Sequence, residues 1–106
     1  MTKTIKPQHA KTLTAGAWTA RWATWVVELR HRATGWRVTV WTWPQGCRGT
    51  RLDEATGFVS PLEAAQWACR VLTRQGAKAM VDGQPRALID FLAFSPAPAL
   101  EVQVTE

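Results

Sequence analysis

Tryptophan stands at positions 18, 22, 25, 36, 41 and 43, and arginine at 21, 30, 32, 37, 48 and 51 runs among them. Indole planes and guanidinium groups in one stretch suit a particular chemistry. Bases stack on aromatic rings for about 1–3 kcal/mol each, while arginine neutralises phosphate and also stacks. The pattern is concentrated in one half of the chain. Residues 1–51 hold nine Lys or Arg against one acid, Glu28, a balance of +8. Residues 52–106 hold four against seven, a balance of −3. The overall net charge of +5 on 106 residues conceals that division. Asymmetry of this size directs one part of a fold towards a polyanion. The competing reading is a surface that simply uses Arg, nine Arg to four Lys.

Other chemistries find less support. His9, His31, Cys47 and Cys69 have no metal-ligand spacing. Gly46-Cys47-Arg48-Gly49 reads as a turn, not a phosphate loop between strand and helix. Ser60 belongs to a helix cap, and Asp53-Glu54 read as adjacent solvated acids in a loop. The expectation is a non-enzyme with no metal and no cofactor. Two cysteines are too few for a disulfide framework, and a Cys47–Cys69 bond is left open. The start, residues 1–7, has no apolar core, and no apolar run approaches the roughly 20 residues of a membrane span. A reduced, cytoplasmic setting follows as the expectation.

Residues 1–16 are polar, basic and aperiodic, so a flexible basic arm hinged at Gly16 is expected. Residues 17–31 and 36–43, rich in Trp, Val and Thr, read as two strands of a hairpin turning through Arg32-Ala33-Thr34-Gly35. A four-residue loop ending at Gly35 is favoured, because a two-residue Thr-Gly loop would force β-branched Thr34 to positive φ. Pro44 ends the second strand. Residues 44–57 read as a loop with a short strand near 50–52, and Phe58-Val59 as the end of a third strand.

Ser60-Pro61-Leu62-Glu63 is a capping box with proline at the first helical position, and Gly76 is a left-handed stop, which together predict one amphipathic helix over 61–75. Its expected buried stripe is Leu62, Ala65, Cys69 and Leu72, with Ala68 beside them. Residues 77–81 read as a short strand followed by an Asp82-Gly83 turn. The stretch 85–94 fits a second short helix or a strand equally well. Residues 95–106 read as a Pro-rich linker followed by an edge strand in which Leu100, Val102 and Val104 alternate with polar residues. The fold class is α+β: a single domain over 17–94, with a small antiparallel sheet of three to five strands packed on one helix.

With this register the hairpin has two unlike sides. Trp25, Val27, Leu29, Trp36, Val38 and Val40 form an apolar side for the helix. Trp22, Thr24, Val26, Glu28, Arg30, Arg37, Thr39, Trp41 and Trp43 form the other. Indoles on a solvent face need a cover. The reading adopted is single-stranded DNA or RNA, with Trp22, Trp41 and Trp43 stacking on bases and Arg30, Arg37, Arg48 and Arg51 meeting phosphates. Glu28 counts against it. The alternatives are that residues 85–94 fold over the face, or that a homodimer or protein partner uses it.

One resemblance bears on that last alternative. Gly35-Trp36-Arg37-Val38, then Pro44-Gln45-Gly46-Cys47, then Gly57-Phe58-Val59-Ser60-Pro61-Leu62-Glu63-Ala64 resemble the hairpin, Pro-Gly-Cys loop and helix start of HicB-type antitoxins. The resemblance implies a partial RNase H fold and an RNA-cleaving toxin as protein partner. The chain departs from the pattern by an insertion at about 49–55, and no DNA-binding tail is evident.

Overall fold

A computed structural model describes residues 7–44 and 48–97. It is α+β. Five strands form one antiparallel sheet: β1 (Ala17–Trp22), β2 (Trp25–Arg32), β3 (Gly35–Thr42), β4 (Thr50–Phe58) and, at the far edge, β7 (Ser95–Pro96). Their spatial order is β4-β3-β2-β1-β7. One helix, α1 (Pro61–Arg74), packs on one side of the sheet, and β5 (Ala79–Val81) with β6 (Gln84–Arg86) forms a separate two-stranded sheet.

The β2–β3 register follows from the turn chemistry. His31 faces Trp36, as the four-residue loop requires, and pairing extends one step further to Arg32 and Gly35. Gly35 has φ +122°, and a Cβ there would lie 2.7 Å from the Phe58 carbonyl oxygen of β4. Glycine is therefore needed twice over, for the backbone angle and for the close approach of β4. The helix also follows its local signals. The Ser60 hydroxyl accepts from the Glu63 N–H at 3.2 Å, and Gly76 closes the helix at φ +101°.

The face α1 buries is Ala64, Ala65, Ala68, Val71 and Leu72, with Leu62 and Cys69 partly buried and packed against the core at its margin. Three alanines let the helix lie close to Val27, Leu29, Trp36, Val38 and Val40, all nearly inaccessible. Tight packing of this kind makes each side chain of the set expensive to truncate.

Four expectations are corrected. First, residues 17–31 are not one strand. The chain reverses at Ala23-Thr24, so that Trp22 faces Trp25 directly. Ala23 sits at φ 55°, a conformation costing about 1–2 kcal/mol outside glycine. Packing both indoles against the core offsets it.

Second, most of the expected 44–57 loop is the nine-residue strand β4. Its register against β3 shifts twice, between Trp36 and Val38 and between Val40 and Trp41. Each irregularity breaks the period-2 alternation by which a strand is recognised.

Third, residues 8–14 are not a free arm. Gln8 and Phe94 exchange two backbone hydrogen bonds of 2.8 Å, and Ala10 and Leu13 are buried. Residues 1–6 of that arm lie outside the described residues.

Fourth, residues 85–94 are neither helix nor strand throughout. They finish β6, make a 3₁₀ turn at Leu88–Phe91 and bury Leu88, Leu92 and Phe94. The expected edge strand at Leu100–Val104 lies outside the described residues. Ser95 and Pro96, expected in the linker, instead pair with β1.

Candidate nucleic-acid interface

The sheet side opposite α1 is laid out by the strand register, since directly opposed residues share a face. One row across four strands reads Arg21, Val26, Trp41, Arg51. The next reads Thr19, Glu28, Thr39, Glu54. The third holds Ala17, Arg30 and Arg37. Arg32 follows beyond, at the hairpin end. The three rows carry four arginines and two glutamates.

Trp41 and Trp43 meet at one end of this face. Their ring centroids are 5.8 Å apart and the planes are tilted by 58°. Both are partly exposed. Trp43 follows β3, where its N–H is held by the Thr24 carbonyl and its own carbonyl accepts from Arg21 Nη1 at 3.2 Å. Its indole lies directly over Gly49, leaving no room there for a side chain. The Ala23-Thr24 reversal thus both shapes the β1–β2 turn and anchors Trp43.

Of the residues expected at the site, the structure brings Arg30, Arg37, Trp41, Trp43 and Arg51 onto one face. Arg48 is exposed just before Gly49. Trp22 is not among them. The reversal at Ala23 turns it to the helix side, where its ring centroid lies 6.1 Å from that of Phe91. Residues 85–94 do not cover Trp41: their 3₁₀ turn packs beside α1, on the opposite side of the sheet.

The arginines are not free cations. Arg30 Nη2 pairs with Glu28, Arg37 with Glu54 through Nε and Nη2, and Arg51 Nη1 reaches Glu54 Oε1 at 3.4 Å. Thr39 Oγ1 donates to Glu54 Oε2 at 3.3 Å. Burial alone would raise the Glu54 pKa. The hydrogen bond and charge of Arg37, with Thr39 and Arg51, outweigh it and hold the carboxyl below its ordinary value of 4.5. Glu54 is therefore charged at neutral pH. Its pairing contributes stability above that ordinary value and loses it as pH falls through the lowered one. Beside this cluster lies an open cleft of about 500 Å³, lined among others by Arg32, Thr34, Arg37, Glu54 and Thr56.

Glu54 carries no local signal of its place, because residues 53 and 54 read as a loop in the sequence. The Arg37–Glu54 pair spans 17 positions and exists only because β4 pairs with β3. Asp53 goes the other way, its Oδ2 lying 3.9 Å from Arg74 Nη2 at the end of α1. Cys69 on α1 is half-buried, and burial pushes its thiol up to about 11, far from a reactive thiolate at neutral pH. Cys47 lies outside the described residues.

Among the described residues no group of three or more His, Cys, Asp or Glu is placed to hold a metal ion. Among them, too, no helix is long and apolar enough to cross a membrane. No family model, no curated protein and no solved structure matches the chain.

Proposed function

We propose that this protein binds single-stranded DNA or RNA, without altering it chemically, on the sheet face opposite α1. The observation that carries the reading is the open row Arg21-Val26-Trp41-Arg51, with Trp43 leaning on Trp41 at 5.8 Å. Two partly exposed indoles offer planes to unstacked bases, which a duplex does not present. Four arginines against two glutamates leave the face net positive. Arg48 extends the charge past Trp43. The ion pairs on this face are partly buried but open to solvent on one side, and a phosphate oxygen can take the place of the carboxylate on the same guanidinium groups. The cysteine usage favours a cytoplasmic setting.

Anisotropy of a labelled pyrimidine oligonucleotide of about 20 residues tests the reading. If Arg30, Arg37 and Arg48 each meet a phosphate while Arg51 stays on Glu54, log affinity falls against log salt with a slope near −2.1, about −0.7 per contact. A duplex of the same length is expected to bind more weakly. A salt-independent affinity, or equal affinity for the duplex, would argue against bases stacked on Trp41 and Trp43.

A further inference from the structure

One carboxylate on this face is surrounded by the groups that bind phosphate. Arg37 Nε donates to Glu54 Oε2 at 2.6 Å, Arg37 Nη2 and Thr39 Oγ1 converge on the same oxygen, and Arg51 Nη1 approaches Oε1. Guanidinium forks and a hydroxyl around one anion match phosphate oxygens as well as a carboxylate. The pairs are partly open to solvent: the side chains of Arg37, Arg51 and Glu54 are 39%, 57% and 28% exposed. The 500 Å³ cleft opens beside Arg37, with Arg32 on its rim. A tetrahedral anion has room to enter there without moving the sheet.

We propose that the Arg32–Arg37 cleft is a phosphodiester site in which Glu54 stands in for the phosphate when no strand is bound. An incoming phosphate takes Arg37 together with Arg32, and Glu54 keeps Arg51. The inference rests on the nucleic-acid reading and deepens it, because it fixes how a strand lies on the face. Trp41 and Arg37 are four residues apart on β3, about 13 Å at ~3.3 Å per residue. Bases stack at the Trp41/Trp43 end and the backbone runs along β3 to the hairpin end. Glu54 then acts as a positioning residue and sets the affinity by competing for Arg37.

Two variants of the full chain, Glu54→Gln and Arg32→Gln, test this with the same pyrimidine oligonucleotide. Glu54→Gln is expected to bind about 3- to 10-fold more tightly at low salt, with a slope steeper by about 0.7. Arg32→Gln is expected to bind about 2- to 5-fold more weakly, with the slope little changed because Arg37 still holds the same phosphate. Tryptophan quenching at saturation stays as in the wild type for both. Arg32 is exposed, so its substitution reports on the cleft even if loss of Glu54 unsettles β4. If the wild type binds and both variants match it in affinity and slope, the cleft assignment is overturned while the interface stands. If neither the wild type nor Glu54→Gln binds, both are overturned.

Discussion

Replacing Trp41 and Trp43 together by alanine is expected to lower oligonucleotide affinity by at least about 30-fold, since each stacked base contributes roughly 1–3 kcal/mol. The structure also sets the cost to the fold. Both indoles are partly exposed, and Trp43 rests on Gly49 beyond the end of β3, away from the Val27-Leu29-Val38-Val40 core. The double variant should remain folded by circular dichroism, with a stability loss of about 2–4 kcal/mol, below that of two fully buried truncations. Unfolding would mark the two indoles as core and remove them from the site. A folded variant that changes from dimer to monomer would assign the face to a protein seam.

The second large effect lies on the other side of the sheet. Phe94 is fully buried, and its backbone is bonded both ways to Gln8. Phe94→Ala is expected to cost about 3–5 kcal/mol. In a domain of this size each kcal/mol moves the melting temperature by about 4–8 °C, so the fall should exceed about 12 °C. Because a small domain has only about 5–15 kcal/mol in total, this variant approaches global unfolding. Its affinity for the oligonucleotide in the cold should stay near that of the wild type, since Phe94 belongs to the helix-side core. A melting temperature within a few degrees of the wild type would mean that residues 8–14 and 88–94 are not fastened to the core as described.

These two residue sets differ in how far the sequence revealed them. The helix was legible because its signals are local: Ser60, Pro61, Glu63 and Gly76 act within one or two turns of chain. The β2–β3 register was legible because Gly35 permits the turn and the apolar residues alternate on both sides of it. Trp41, Trp43, Arg30 and Arg37 followed from that register, whereas Arg51 was expected in the loop after it.

Trp22 did not, because the reversal at Ala23-Thr24 lacks the glycine, proline or asparagine that ordinarily marks one. β4 was hidden by its two register shifts and its polar residues, so the edge of the sheet read as loop. With β4 hidden, Glu54 could not be placed against Arg37, and the face looked more basic than it is. The packing of Ala10, Leu13 and Phe94 was illegible for a related reason. Each contributes one isolated apolar residue to a core assembled from distant segments, with no periodicity of its own.

On the proposed reading, Trp41 and Trp43 stack on the bases of a single strand. Titration of the intrinsic tryptophan fluorescence with a poly-pyrimidine oligonucleotide of about 20 residues at low salt tests it most directly. Stacking gives saturable quenching that is lost in the Trp41→Ala, Trp43→Ala variant and reversed by added salt, with the dependence expected of a few phosphate contacts. Unchanged emission throughout the titration would contradict it.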